Sequence, residues 1–338
     1  MAGPLTFRRC TIAVALYAIF AVAVLCVAPF VGSVSIDAGR AMSEISLDRA
    51  EWSIDTRILI DQRLARVLLG FLVGGALALV GSVFQVIFRN PLAAPSTLGI
   101  TAGGAVGAAI AICVSGLNIR LGPFSSVQLF ALAGSIAALG LIYLVARRSN
   151  GLSMHTLLLA GVTVGIFCGA LILLIQYLAD PHRLMMMDRW MMGGLDVVGY
   201  RQLAGLLPLL LPGAGLLFMQ MSALNHLSLG EEMALGHGVE VAGVQKCSFL
   251  GGALTIAAAV SLAGPITFVG LIVPHIVRRI SGYDHRIVLP GSFLAGGALL
   301  VACDTIARTL LAPTEMPVGI ITALVGGPFF IYLLLKKA

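Results

Sequence analysis

The sequence predicts an all-α polytopic membrane protein with about ten transmembrane helices in one domain spanning residues 1–338. Three observations predict it. Hydrophobic residues make up 59% of the chain and charged ones only 11%. The apolar residues gather in uncharged runs of about 20, the length a helix needs to cross a bilayer. Between the runs stand Gly, Pro and the scarce charges, the residues that punctuate helices.

In chain order the expected spans are 11–32, 64–86, 94–114, 126–146, 155–178, 202–221, 243–262, 265–280, 289–310 and 317–335. The first has a basic flank, "TFRRC", like that of a signal peptide. Its uncharged core runs from Cys10 to Ile36, longer than a signal h-region of roughly 7–15 residues, and no A-x-A cleavage site follows. A retained span is therefore expected. Spans seven and eight are the ambiguous pair: Cys247 to Val277 carries no Asp, Glu, Lys or Arg, and "AGP" at 263–265 divides it.

An even number of spans puts both termini on one side. The doublets Arg8-Arg9, Arg147-Arg148, Arg278-Arg279 and Lys336-Lys337 all abut span ends on that same side. The positive-inside rule assigns it to the cytoplasm. An internal repeat is also visible: "GGALALVGSV" (74–83) in span two resembles "GGALTIAAAV" (251–260) in span seven. Five spans separate the copies, so the halves run in opposite senses, an inverted repeat. Pro-interrupted stretches, "RNPLAAPSTLGI" and "AGPITFVGLIVPHI", follow both. Span five carries a ladder, Gly161, Gly165 and Gly169, that lets helices approach closely. It suits packing within one subunit, or a pore or dimer face.

Several chemistries have no residues to perform them. The net charge of +6 comes from basic residues scattered at span ends, with no basic face interleaved with aromatics, so nucleic acid is not an expected partner. The six cysteines form no C-x-x-C and sit in apolar runs as small hydrophobes. The three lysines lie in "VQKCS" and "LLKKA", so no P-loop is present and this chain is not expected to hydrolyse ATP. H-E-x-x-H and G-x-S-x-G are also absent, and no metal site or resident cofactor is expected. An ion-coupled secondary carrier needs ionisable groups deep in its spans. The best candidate is Asp304 with Arg308 four residues on, a shallow self-paired site. A transport function powered by a partner fits better.

One hydrophilic stretch stands out, "SLGEEMALGHGVEV" (228–241). Ser228 and Glu231 have capping-box spacing: the Ser228 hydroxyl would accept from the Glu231 backbone and Glu231 would reach back. Gly236 or Gly238 would end a helix of about two turns.

Four blocks, "RLARVLLGFLVGGALALVGSVFQVIFRNPLAAPSTLGITAGG" (63–104), "LGEEMALGHGV" (229–239), "GPITFVGLIVPHIVRRISGYDHR" (264–286) and "EMPVGIITALVGGPFFIYLLLKK" (315–337), together resemble the FecCD/BtuC-type permeases. These are membrane subunits of type II ABC importers for ferric siderophores, haem and cobalamin. The resemblance covers nearly the whole chain. It implies a bacterial inner-membrane protein paired with a second permease subunit, a homodimer or close heterodimer. Two cytoplasmic ATP-binding subunits carrying ATP and magnesium would drive it, and a periplasmic or lipid-anchored binding protein would deliver the cargo.

The same resemblance assigns candidate sites. Segment 228–240 becomes the coupling helix against the ATPase, with Ser228, Glu231, Glu232, Leu235, Gly236, His237 and Gly238. Glu231 is expected as a structural cap and Glu232 as the contact. Arg63, Arg66 and Arg308 become docking residues for glutamates of the binding protein, or else anchors that snorkel to the interface. Gly161, Gly165, Gly169 and Gln176 of span five, with Met185, Met186 and Met187 beyond it, become candidate lining of the translocation path, along with span ten. The loop 179–196 holds His182 and five methionines, which can ligate haem iron or serve as adaptable packing. A ferric siderophore is the expected cargo on family frequency, with haem second and cobalamin third.

Overall fold

The computed structural model describes residues 7–46, 48–114, 121–148, 154–196 and 199–337. In hydrocarbon every backbone N–H and C=O must be satisfied within the chain, which leaves helices as the way to cross. α1 (Phe7–Val27) gives way to a 3-10 turn at Ala28–Phe30, where Pro29 removes an N–H. α2 (Ala38–Glu44) is capped by Asp37, whose carboxylate accepts from the Arg40 backbone N at 3.0 Å. α3 (Ile54–Arg57) runs through a π-helical turn, Ile58–Leu64, into α4 (Ala65–Ile87). Then come α5 (Ile100–Cys113), α6 (Ser126–Arg148), α7 (Met154–Leu178), α8 (Pro181–Met191) and α9 (Arg201–Met219). The chain closes with α10 (Met221–Leu227), α11 (Glu231–Gly236), α12 (Val241–Ala263), α13 (Val269–Ser281), α14 (His285–Thr309) and α15 (Val318–Lys337).

The protein is an all-α polytopic membrane protein. Seven helices among the described residues are long and apolar enough to cross a bilayer by themselves. The three expected spans outside that set coincide with the shorter helices α5, α13 and α15. The uncharged run 247–277 resolves into two helices. Gly264 (φ +66°) ends α12, and Phe268, in the left-handed region at φ +67°, precedes α13. Expected spans three and eight start too early, because residues 95–98 form a 3-10 turn and 264–268 are not helical. Pro95 and Pro265 stand at these breaks.

The centre is built by α4, α12 and α14, which carry the largest buried shares of the long helices. α4 and α14 touch through backbone: a Cβ on Gly74 would lie 2.4 Å from the carbonyl oxygen of Gly296. Without a hydrophobic drive between helices in lipid, such contacts supply the packing energy. The two repeat copies lie on α4 and α12. Each is followed by a short helix preceded by a left-handed residue, Gly99 (φ +70°) and Phe268. α1 lies at the periphery, with one face packed on α14 and the other exposed.

Candidate functional site

The candidate residues gather at the two ends of α4. Arg66 near its start and Arg89 just past its end are 23 residues apart, about 34 Å along a helix.

At the first end, Arg66 faces Asp304 of α14. Nε is 3.0 Å from Oδ1 and Nη2 is 2.8 Å from the same oxygen. Arg308, one turn on, approaches the other oxygen at 3.3 Å. The expected Asp304–Arg308 pair therefore exists, but Arg66 is the closer partner. Arg66 also donates to Glu315 Oε2 at 2.6 Å, and Asp196 stands 3.9 Å away. Burial alone would raise the Glu315 carboxyl; the hydrogen bond and charge of Arg66 outweigh it and hold it below the usual range. Arg63 is buried and donates to the carbonyls of Pro29, at 3.2 Å, and Val34. Arg308 is equally buried and donates to Ala28 O at 3.1 Å. The three arginines border one open cleft of about 360 Å³ with Glu315 and Asp196. They are not free cations on an outer surface. Arg63 and Arg308 are locked to backbone, and Arg66 is neutralised by the chain's own acids.

At the second end, α11 projects with Glu232 exposed between exposed Leu229, Met233 and Leu235, while Ala234 on its reverse side is fully buried. The expected capping box does not form. Gly230 is the N-cap, and the Ser228 hydroxyl donates instead to Asn225 O at 2.7 Å. Gly230 adopts φ +126°. That turns the chain so that Ser228 belongs to the end of α10. Gly236 is the last helical residue, His237 is the C-cap, and Gly238 (φ +76°) makes the left-handed turn that ends α11. His237 stacks on His226 at 5.0 Å.

Glu231 reaches elsewhere. Its Oε1 accepts from Gln245 Nε2 of α12 at 3.1 Å and lies 3.4 Å from Arg89 Nη2. Arg89 itself sits in the left-handed region at φ +47°. On the other flank, Asn225 of α10 donates to Asp284 Oδ1 at 2.9 Å and accepts from the His285 backbone N at 2.7 Å. Asp284 caps α14, and hydrogen bonds from Arg286 outweigh burial and hold its carboxyl at about 2. The α10–α11 segment is thereby fastened to α4, α12 and α14. Reading the sequence missed Arg89, Asn225, Gln245, Asp196 and Glu315. Asp284 was missed as well, although an Asp just before an apolar helical run is an N-cap signal.

The candidate path residues separate. Gly161 and Gly165 abut the backbone of Leu98 and Gly99, where a Cβ on Gly161 would meet Leu98 O at 3.0 Å. Both are packing positions within the chain. A Cβ on Gly169 would meet nothing within 4 Å. Met187 is buried, with its sulfur 3.4 Å from Cys113 Sγ. Met185 and Met186 are exposed on α8, and Gln176 donates to Asp188 Oδ1 at 3.2 Å. Among the described residues, no group of three or more His, Cys, Asp or Glu side chains converges as a metal site would.

A helical membrane body thus carries a short exposed helix pinned to its central helices. The chain belongs to the FecCD transport family, whose model matches residues 19–336. It is 41% identical over 306 residues, 88% of both chains, to the hemin transport system permease protein HmuU of Yersinia pestis. It is 42% identical over 272 residues to the cobalamin import system permease protein BtuC of Halobacterium salinarum, covering 80% of this chain and 72% of that one. A solved structure described as an inward-facing ABC transporter of the metal-chelate type superposes with a TM-score of 0.81 at 30% identity, over 96% of this chain and 98% of that one.

Proposed function

We propose that this protein is the translocating subunit of an importer that carries a metal chelate across the bacterial inner membrane. Energy comes from a separate cytoplasmic ATP-binding subunit, present in two copies, which holds the ATP and magnesium. A periplasmic or lipid-anchored binding protein delivers the cargo, and a second copy of the permease completes the path. The observation that carries this reading is α11: an exposed acid, Glu232, flanked by exposed Leu229, Met233 and Leu235, on a segment fastened to three central helices. Such a surface suits a soluble partner whose movement is to be passed into the membrane. The exposed apolar faces of α7, with Ile166 and Tyr177, and α15, with Leu324 and Leu335, are the surfaces for the second copy and lipid. With α11 facing the cytoplasm, both termini face it too.

Two of the relatives are named for hemin and cobalamin. Metal tetrapyrroles therefore take precedence over a ferric siderophore as cargo, with haem first. Uptake by proteoliposomes holding the full complex tests this. Haem accumulation followed by its Soret absorbance, not competed by ferric siderophores, supports the reading. Accumulation of a ferric siderophore and not haem would restore the siderophore.

A further inference from the structure

Beside the coupling segment lies a second cleft, of about 450 Å³, walled by the end of α4, the turn after α10 and the end of α13. Its charged lining is basic. Arg89 and Arg278 border it with Tyr283 and Ser228, and no Asp or Glu is among its lining residues. Arg89 has a distant partner in Glu231, at 3.4 Å. Arg278 has no carboxylate within ion-pairing distance among the described residues. A half-buried guanidinium in an open cleft without an acid beside it is a ready site for a negatively charged ligand.

The wall has a second unmet demand. Oε1 of Gln85 and Nε2 of His285 are buried without a hydrogen-bond partner. His285 Nδ1 lies 2.8 Å from Asn225 Oδ1, an oxygen that already accepts from the His285 backbone. Nδ1 therefore carries the proton and Nε2 is an acceptor. Both orphans call for O–H or N–H donors that this chain does not supply. The cleft lies where spanning helices end, and exposed Ile280 and Tyr283 mark that level as the membrane interface.

We propose that this cleft binds the headgroup of an acidic phospholipid, with the phosphodiester on Arg278 and Arg89. Basic pockets at helix ends near a membrane surface recognise such groups. A hydroxyl-bearing headgroup would reach the orphaned acceptors only after a side-chain shift, because both atoms are closed to solvent. The bound headgroup would sit against Ser228 and so make the coupling turn sensitive to lipid composition.

The test uses the full transporter complex in nanodiscs of phosphatidylglycerol or phosphatidylcholine, with retained lipid counted by native mass spectrometry. Wild type should retain phosphatidylglycerol in preference to phosphatidylcholine. Arg278→Gln should weaken that retention about fivefold, as expected for one interfacial charge. Arg278→Lys keeps the charge and should restore most of it, which separates a binding role from misfolding. Equal retention in wild type and Arg278→Gln would overturn the proposal. Stabilisation by inorganic phosphate without any preference for phosphatidylglycerol would overturn the lipid assignment. Retention of phosphatidylglycerol by the permease alone but not by the full complex would overturn it in favour of an acidic side chain of the ATP-binding subunit.

Discussion

Arg66 of α4 and Asp304 of α14 hold each other across 238 positions of sequence, with Nη2 to Oδ1 at 2.8 Å and both side chains largely shielded from solvent. The pair ties the two central helices together at the end where α4 begins. Asp304 also faces Arg308, so one buried carboxylate answers two guanidinium groups.

Removing that carboxylate should be severe. Asp304→Asn leaves two buried cations facing each other and is expected to cost about 3–5 kcal/mol. Glu315→Gln removes a half-exposed partner and should cost about 1 kcal/mol or less. Thermal unfolding of the purified protein measures both. Equal shifts would mean that the network is not centred on Asp304.

The same geometry changes what charge reversal at the mouth should do. Arg63→Glu would place an acid among the carbonyls that Arg63 now satisfies, those of Pro29 and Val34. Loss of folded protein is therefore expected from Arg63→Glu, visible as a poor yield on size exclusion. A docking residue of the kind the family resemblance implies must be sought at Arg66, whose bond to Glu315 an incoming carboxylate can replace. Arg66→Lys should weaken stimulation of ATP hydrolysis by the binding protein while the complex still assembles. Unchanged stimulation would remove Arg66 from docking.

Coupling should divide between the two glutamates of α11. Glu231 fastens the segment to Arg89 and Gln245, whereas Glu232 points outward. Glu232→Arg should lower transport per ATP hydrolysed several-fold with the fold intact. Glu231→Gln retains the hydrogen-bond geometry and should cost less. Wild-type coupling in both variants would contradict this division.

Acid should loosen the segment between α1 and α4. Hydrogen bonds from Ser53, Thr56 and Arg40 lower the Glu44 carboxyl from 4.5 to about 2. A lowered carboxyl stabilises the fold above its unfolded value and loses that contribution as pH falls toward its folded value. Proteolysis of residues 38–57 should therefore be flat from pH 7 to about 5 and rise from there toward about 2. Glu44→Gln should already be more susceptible at pH 7. No difference between the two at neutral pH would show that Glu44 does not order the segment.

The glycine ladder of α7 offers a test of path against packing. Gly161→Leu drives a side chain into Leu98 and should cost about 1–3 kcal/mol or prevent folding. Gly169→Leu starts into open space, where its Cβ meets no atom within 4 Å, and should leave unfolding nearly unchanged. If Gly169 lines the route, this variant should still impair uptake. Normal uptake would exclude it.

The spans were legible because lipid forces apolar side chains and uninterrupted backbone bonding into one linear signal, and each expected span overlaps a helix. The helix breaks were harder to place. Residues 264–268 are as apolar as the helix they precede, and only Gly264 and Pro265 mark the change. Side-chain partners were largely illegible. Glu231 had the spacing for a cap, yet Gly230 at φ +126° turned the chain away from Ser228 and left Glu231 beside Arg89. Arg66 and Asp304 are too far apart in sequence for any local pattern to join them. Gly161 and Gly165 show four-residue spacing whether the face meets a pore or Leu98, and tertiary packing alone decides.

The central claim is that this chain moves a metal chelate only when a separate ATPase drives it. The most direct measurement is uptake by proteoliposomes containing the permease with its co-purified ATP-binding subunit, loaded with ATP, against the same complex lacking the P-loop lysine of that subunit. Uptake should require ATP and vanish in the lysine variant. Equal uptake by both, or uptake driven by an ion gradient with the permease alone, would contradict it and establish a self-sufficient carrier.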